Sequence, residues 1–233
     1  MSNIGITIIC SNYNSKRWID GYLENVNSID YPKVNIVFVD ANSTDGSLET
    51  IKSFEFENHV NVKIIECSDR VGIYDAWNMA IEAADTEYMM TLNTDDRLFS
   101  QSLKIYEYYT RKHPEMDVIY SPIFVVQDPD HKEITGRSEV MEHSHDNLLQ
   151  ACYCGPFPLL KRSSLIDAGL FNPQFTISGD YEMWMRLSHK GYNLMRIPHE
   201  VGTYYFNPTG MSSNKDTFQE HLRQDLEIRR MYS

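Results

Sequence analysis

Short apolar runs alternate with stretches of helical spacing along the first hundred residues of the chain. Each run is rich in β-branched residues, and each intervening stretch carries apolar residues three and four positions apart. This alternation predicts strands at 4–10, 34–39, 60–67 and 88–93 and helices at 16–28, 47–54 and 73–84. Four strand–helix repeats of this kind are typical of an α/β fold with a parallel sheet and helices on both faces.

The second half of the chain has a less regular pattern. It predicts helices at 102–113, 180–189 and 216–231, a short helix that ends at Gly169, and strands at 117–126, 132–140, 192–197 and 202–206. The strand at 132–140 is expected to return antiparallel after the turn Asp128-Pro129-Asp130. Residues 142–158 are expected to be irregular. The chain therefore combines a parallel sheet with a more mixed region.

Composition excludes several classes of function. The chain has 233 residues and a formal net charge of −12, with no long block of lysine and arginine, so we expect no nucleic-acid partner. No apolar run approaches the ~18 residues of a membrane-spanning helix, and the first residues lack the basic region of a signal peptide. We expect a reduced cytoplasmic protein.

The four cysteines leave one metal site to consider. Cys10 and Cys67 end apolar runs and are interpreted as small buried hydrophobes. Cys152 and Cys154 follow two histidines, His143 and His145. A zinc site from these four is conceivable, but their spacing matches no standard zinc motif, and reduced thiols are the favoured interpretation.

Acidic residues follow three of the four predicted parallel strands. Asp40 ends the second strand, Asp69 and Arg70 follow the third, and Asp95 and Asp96 follow the fourth. The carboxyl ends of parallel strands share one edge of the sheet, where ligands bind in α/β folds. Adjacent carboxylates repel and need a cation or a donor to stay ionised. Mg²⁺ or Mn²⁺ with a phosphorylated ligand is the natural partner.

Each of these residues has a structural alternative. Asp40 is favoured as a contact to a nucleobase, since Ser43 and its neighbours already offer helix caps. For the pair Asp69 and Arg70, contact with a diphosphate and an exposed ion pair are equally open. Asp180, in the sequence SGDYEMW, is either a helix N-cap or a general base, and the residues alone do not choose. Two polar residues near the start of the third predicted helix either face the site or cap that helix: Asp75 and Asn78.

Six segments of the chain resemble glycosyltransferase family 2. They are ITIICSNYN at 6–14, VDANSTDGS at 39–47, GIYDAWNMAI at 72–81, LNTDD at 92–96, GPFPLLKRSSL at 155–165 and SGDYEMWMRL at 178–187. The resemblance implies a GT-A fold, with a Rossmann-like, mostly parallel central sheet and a small mixed subdomain on the acceptor side. Residues 1–98 would form the half that binds the nucleotide sugar, and 99–233 the acceptor half of the same domain.

The resemblance also implies roles for individual residues. Asp180 would be the catalytic base, Asp96 the better metal ligand, and Asp95 a second acid that binds the metal or the ribose. A divalent metal, Mn²⁺ or Mg²⁺, is expected. The other residues expected to bind substrate are Ser11, Tyr13, Asn14, Asp40, Asp69, Arg70, Asp75, Asn78, Gly155 and Pro156.

Three departures from the family pattern bear on these roles. Ser11-Asn12 replaces the usual Pro-Thr, Ala41 replaces the second acid after Asp40, and Asn93 stands at the first acid of the Asp-x-Asp motif. They bear on the identity of the nucleobase more than on the metal.

The expected reaction is an inverting transfer of a sugar from a nucleotide-diphosphate sugar, with UDP as the preferred nucleotide. The expected acceptor is a glycan or a lipid-linked saccharide, which would place the protein at the inner face of a membrane. The tyrosine-rich segment 105–109 would suit membrane contact, core packing or self-association equally. Two alternatives stay open: a non-catalytic sugar-nucleotide-binding module in a larger assembly, and a nucleotidyltransferase. The second is disfavoured because SNYNSKR lacks the glycine-rich loop that it needs.

Overall fold

The computed structural model describes residues 3–211 and 213–233, which contain eleven strands and eight helices. In chain order these elements are β1 (Ile6–Asn12), α1 (Lys16–Asn27), β2 (Val34–Asp40), α2 (Ser47–Ser53), β3 (Val60–Glu66), α3 (Ile73–Ala83), β4 (Tyr88–Thr91), β5 (Arg97–Leu98), α4 (Ser102–Lys112), β6 (Val118–Tyr120), β7 (Phe124–Val126), β8 (Ile134–Arg137), α5 (His145–Gln150), β9 (Leu159–Lys161), α6 (Arg162–Ala168), α7 (Gly179–His189), β10 (Leu194–Arg196), β11 (Gly202–Tyr205) and α8 (Phe218–Tyr232).

A seven-stranded sheet with the order β10-β6-β9-β4-β1-β2-β3 forms the centre of the fold. Only β9 runs antiparallel to its neighbours β4 and β6. The strands β4, β1, β2 and β3 lie side by side in parallel, and their register pairs Asn12 with Asp40 and Asp40 with Glu66. The predicted mostly parallel α/β sheet is confirmed, and the loops after these four strands share one edge.

Helices cover both faces of this sheet because side chains alternate along β1. Ile6 and Ile8 point to a cluster that includes Tyr22 of α1 and Tyr106 of α4. Ile9 points to the opposite cluster, which contains residues of α3 and α7. All three isoleucines are fully buried. These two apolar clusters, one on each face of the sheet, fix the position of the loops that follow its parallel strands.

A smaller mixed sheet has the order β5-β11-β7-β8. The strand predicted at 117–126 is in fact two strands, since β6 joins the large sheet and β7 the small one. Pro122 lies between them and has no N–H for a ladder hydrogen bond. β8 returns antiparallel to β7, as predicted.

The segment 142–158 was predicted to be irregular but contains the short helix α5. Ser144 caps this helix by accepting a hydrogen bond from the backbone N–H of Asn147 at 3.0 Å. The strands β5 and β9 were also missed, because two or three residues are too few to show a periodicity. β6, β9 and β10 lie in the same sheet as β1–β4, so both halves of the chain build one sheet.

Candidate active site

The turn after β4 buries the carboxylate of Asp96 without giving both of its oxygens a hydrogen-bond donor among the described residues. Asp96 is 1% exposed, and its Oδ1 accepts a hydrogen bond from the backbone N–H of Tyr205 at 3.1 Å. Its Oδ2 has no hydrogen-bond partner within the described part of the chain. Burial, followed by the neighbouring charge of Asp95, raises the pKa of Asp96 well above its ordinary value. An unpaired buried carboxylate is unfavourable, so this oxygen is suited to a proton or a cation.

Asp95 and the backbone of this turn are held from the small sheet. Nε2 of His131 lies 2.8 Å from the carbonyl oxygen of Asp95, and Nδ1 lies 2.6 Å from the hydroxyl of Thr203. Arg97 donates hydrogen bonds to the carbonyl oxygens of Asp96 and Thr94 at 2.7 and 2.8 Å. Burial raises the pKa of Asp95, and the nearby Arg97 opposes that shift. The acidic turn is therefore fixed by backbone contacts that leave its carboxylates largely uncommitted.

The residues present fit a divalent cation held mainly by a ligand. Within 3–211 and 213–233, no group of three or more His, Cys, Asp and Glu side chains is arranged to bind a metal. Mg²⁺ commonly binds through one or two carboxylates together with substrate phosphates and water. The unpartnered Oδ2 of Asp96 supplies the first such carboxylate, and Asp95 is the adjacent one.

Asp40, at the carboxyl end of β2, is committed to protein contacts. The carboxylate is 1% exposed and accepts hydrogen bonds from Nδ2 of Asn12 at 2.6 Å and from the N–H and hydroxyl of Ser43 at 3.0 and 2.6 Å. Asn12 also donates to Ser43 and Ser47. The predicted contact of Asp40 with a nucleobase therefore competes with three existing donors. Sequence reasoning missed Asn12, although it lies inside the SNYN segment.

Tyr13 and Arg70 meet above the end of β2. Tyr13 follows β1 and is 40% exposed, and the guanidinium carbon of Arg70, which follows β3, lies 4.4 Å from the centre of its ring. This contact unites two predicted substrate residues from separate loops. A planar base can stack on a tyrosine ring of this kind. Asp69, the residue before Arg70, accepts a hydrogen bond from the hydroxyl of Ser68 at 2.9 Å.

Asn14 and Asn78 hold segments of backbone together. Asn14 has a left-handed backbone, donates its N–H to Ser43 and accepts from the N–H of Thr44. Asn78 uses both atoms of its amide on the backbone of Phe171, at 2.8 and 2.9 Å. Two further predicted residues of this region reach the surface to different extents. Ser11, which pairs with Val39 of β2, is half-buried, and Asp75 in the first turn of α3 is exposed.

Asp180 lies in the first turn of α7 and contacts α3. Its Oδ1 is 3.2 Å from the hydroxyl of Tyr74 and 2.9 Å from the N–H of Tyr181. The side chain remains partly exposed, and burial of the carboxylate raises its pKa. Because α3 begins just beyond β3, this contact brings Asp180 to the same edge of the sheet as the acidic turn.

The segment before β9 completes this edge. The carbonyl oxygen of Pro156 accepts a hydrogen bond from the hydroxyl of Thr91, the last residue of β4, at 2.9 Å. Gly155 has a positive φ of 79°. Burial raises the pKa values of Cys152 and Cys154, and the charge of Asp180 adds to both shifts. The described residues thus bring Asp40, Asp96 and Asp180 to one rim.

The histidines of the considered zinc site have other partners. The ring nitrogens of His145 lie 3.0 Å from the hydroxyl of Ser188 and 2.7 Å from the carbonyl oxygen of Tyr232. Nδ1 of His143 is 3.2 Å from the hydroxyl of Tyr153. These contacts support the interpretation of Cys152 and Cys154 as thiols.

Solved glycosyltransferase structures share this fold. TarS of S. aureus, residues 1–349 in complex with UDP-GlcNAc, aligns with a TM-score of 0.77 at 19% identity over 97% of this chain and 66% of that one. The mannosyltransferase PcManGT from Pyrobaculum calidifontis, in complex with GDP-Man and Mn²⁺, aligns with a TM-score of 0.77 at 20% identity over 100% of this chain and 66% of that one. The predicted GT-A fold is confirmed.

The sequence profile described as Glycosyl transferase family 2 matches residues 7–169, and the chain belongs to this family. Both the family and the class of enzyme that the sequence predicted, a glycosyltransferase, are thereby confirmed.

Curated relatives extend over different shares of the chain. A dolichyl N-acetyl-alpha-D-glucosaminyl phosphate 3-beta-D-2,3-diacetamido-2,3-dideoxy-beta-D-glucuronosyltransferase of Methanococcus voltae is 24% identical over 97% of this chain and 75% of its own length. The teichoic acid poly(glycerol phosphate) polymerase of Staphylococcus epidermidis is 30% identical over 53% of this chain. The poly-beta-1,6-N-acetyl-D-glucosamine synthase of Staphylococcus aureus is 23% identical over 83% of this chain. The chain spans 17% and 48% of the length of the last two.

Proposed function

We propose that this chain transfers a sugar, with inversion, from a nucleotide-diphosphate sugar to a hydroxyl group of a glycan or a lipid-linked saccharide. The observation that carries this proposal is the pairing of two carboxylates at one sheet edge. Asp96 is buried and one of its oxygens has no partner in the described ranges of the chain, and Asp180 is partly exposed with a raised pKa. A metal-binding acid and a base on one rim are the two groups that direct displacement at an anomeric carbon requires.

The donor would lie along the ends of β1–β4. The exposed ring of Tyr13 with Arg70 beside it suits a stacked base and its negatively charged diphosphate. UDP is the nucleotide we propose, and the similarity to a chain crystallised with UDP-GlcNAc supports it. The complex of PcManGT with GDP-Man is why the experiment below includes more than one nucleotide.

Asp96, with Asp95 beside it, would hold Mn²⁺ or Mg²⁺. When bound, the cation supplies Lewis-acid neutralisation of the charge that develops on the leaving diphosphate. Arg97 and the N–H of Tyr205 orient the turn that carries both acids. The protein side of the site is thus preorganised before any ligand arrives.

Asp180 would accept the proton of the acceptor hydroxyl as that oxygen attacks the anomeric carbon. The attack comes from the face opposite to the leaving diphosphate, so an α-linked donor gives a β-linked product. Burial raises the pKa of the Asp180 carboxyl, and a carboxylate with a raised pKa is a stronger base. Pro156 is hydrogen-bonded to Thr91 at the end of β4, and Gly155 and Pro156 would contact the acceptor.

A lipid-linked acceptor would bring the protein to the inner face of a membrane. None of the helices in the described ranges has the length and apolar character needed to cross a bilayer. Contact would therefore be peripheral, and the exposed Tyr108 on α4, 52% accessible, is one candidate for contact with a membrane or with a second copy.

The test is the variant Asp180→Asn, assayed by release of nucleoside diphosphate from UDP-GlcNAc, other UDP-sugars and GDP-Man with Mn²⁺, with water as the acceptor whose proton Asp180 would take. We expect a loss of about 10²–10⁴-fold in turnover with unchanged affinity for the nucleotide measured by calorimetry. Asp85→Asn, at an exposed acid, is the matched control and should behave as wild type. Wild-type turnover in Asp180→Asn would refute the base assignment.

A further inference from the structure

The turn that precedes Asp180 is contacted on two sides by residues of other helices. On one side, the hydroxyl of Tyr74 in α3 donates to the carbonyl oxygen of Ile177 at 2.8 Å and lies 3.2 Å from Oδ1 of Asp180. Its ring also lies flat against Gly179, since a Cβ there would come within 2.7 Å of the ring. Tyr74 is 4% exposed. The turn therefore has little freedom on this side.

On the other side, the buried amide of Gln224 in α8 binds the same turn. Its Oε1 accepts hydrogen bonds from the N–H groups of Ile177 and Ser178, both at 3.0 Å. Its Nε2 donates to the hydroxyl of Thr176 at 3.1 Å and to Glu220 at 2.8 Å. Gln224 is 1% exposed, and its hydrogen bond from the N–H of Ser178 is fully buried. Buried polar groups with complete partners fix a single backbone arrangement.

From these contacts we propose that Tyr74 and Gln224 are positioning residues that orient the Asp180 carboxylate for its role as a base. This inference rests on the proposed function. Gln224 lies outside residues 7–169, where the family profile matches. Helix α8 therefore contributes to the base site from beyond the matched segment.

The surroundings of Asp180 explain why a small displacement of the turn matters. The titratable groups facing it are Tyr74 from α3, Cys152 and Cys154 from the segment before β9, and Asp225 from α8. Ser178 donates to Asp225 at 2.7 Å and keeps that second carboxylate in place. A turn released from Tyr74 or Gln224 would alter both the hydrogen bonds and the solvent access of the Asp180 carboxylate.

The decisive test needs no substrate. The ¹³C carboxyl resonance of Asp180, assigned by its loss in Asp180→Asn, is titrated in the metal-free full chain. Tyr74→Phe keeps the ring and removes the hydroxyl, and we expect the pKa of Asp180 to rise by about one unit. Tyr232→Phe is the matched control, because it removes a tyrosine hydroxyl that contacts Glu182 of α7 from another helix, α8. A Tyr74→Phe titration equal to wild type, or an equal shift in Tyr232→Phe, would overturn the role of Tyr74.

Gln224 is tested by a pair of variants. Gln224→Met removes the acceptor for two N–H groups, whereas Gln224→Glu keeps an acceptor oxygen. We expect fast amide exchange at Ile177 and Ser178 in Gln224→Met and slow exchange in Gln224→Glu. In the UDP-GlcNAc assay with Mn²⁺, kcat should fall about 10-fold in Gln224→Met at unchanged KM, with partial recovery in Gln224→Glu. Protected amides in both variants would overturn the role of Gln224.

Failure of the two proposals can be told apart. If Asp180→Asn retains turnover, Asp180 is not the base, and the resonance titration and amide exchange still decide whether Tyr74 and Gln224 hold the turn. If Asp180→Asn is inactive while the resonance and exchange data match wild type, the base assignment stands and the positioning role is wrong.

Discussion

The backbone N–H of Tyr205 donates a hydrogen bond to the Asp96 carboxylate at 3.1 Å, and this contact joins the small sheet to the acidic turn of the large sheet. The ring of Tyr205 packs on Trp18 of α1 with 4.9 Å between ring centres. One carboxylate oxygen is thereby held, while the other has no hydrogen-bond partner among the residues that the structure describes. The small sheet therefore sets the position of the acid that we assign to the metal.

Asp96→Ala should abolish the metal dependence of nucleotide binding. Calorimetry of UDP with and without Mn²⁺ should show a difference in wild type and none in the variant, since Oδ2 of Asp96 is the free ligand of the turn. Asp85→Ala, at an exposed acid, should keep the wild-type difference. A variant that still binds UDP more tightly with Mn²⁺ would contradict the assignment.

Asp96 should also give the metal-free protein a characteristic pH dependence. Its folded-state pKa is raised, so the native state binds the proton more tightly than the unfolded chain does. This contribution to stability is present when the group is protonated and is lost as pH rises through the folded-state pKa. At neutral pH with EDTA, Asp96→Asn should therefore be more stable than wild type, by on the order of 1 kcal/mol.

Urea denaturation from pH 4 to pH 8 measures this difference in the free energy of unfolding. The gap between Asp96→Asn and wild type should close as pH falls toward the ordinary carboxyl pKa. A gap that stays constant over this range would show that the carboxylate titrates normally.

Asp40 should affect stability more than nucleotide affinity. Its carboxylate accepts three hydrogen bonds from Asn12 and Ser43, and Asp40→Asn would set an NH₂ group against one of these donors. We expect a loss of about 2 kcal/mol in the free energy of unfolding and an unchanged Kd for UDP. Asp45→Asn, at another acid of the same loop, is the variant with which both the free energy of unfolding and the Kd for UDP are compared. A stable Asp40→Asn variant that no longer binds UDP would restore the nucleobase contact predicted from the sequence.

Tyr13 should bind the nucleotide through its ring rather than its hydroxyl. Tyr13→Phe keeps the face against which Arg70 lies and should retain the Kd for UDP. Tyr13→Ala removes that face and should weaken binding by about 10-fold or more. Calorimetry of both variants with UDP and Mn²⁺ decides the point. Equal weakening in both would assign the contact to the hydroxyl.

Local pattern was enough to predict the elements of the first hundred residues. Apolar runs and helical spacing are local properties. They predicted the ends of β1–β4 and α1–α3 to within two residues of the observed bounds. The acids that follow those strands then predicted the sheet edge at which we propose the active site. Elements of two or three residues, such as β5 and β9, carry no periodicity and were not predicted.

What the sequence by itself determined was the family, the α/β class and the sheet edge that carries Asp40 and Asp96, because apolar runs and the acids that follow them are local features of the chain. The contact with Tyr74 that brings Asp180 to this edge is tertiary. Only the tertiary structure decided which of these acids is committed to protein donors. Asp40 accepts a hydrogen bond from Asn12, 28 positions away, whereas Oδ2 of Asp96 has no hydrogen-bond partner among residues 3–211 and 213–233. Likewise Tyr74 and Gln224 reach the turn before Asp180 from far along the chain. Hydrogen bonds between distant segments depend on how the elements pack, and no local pattern records them.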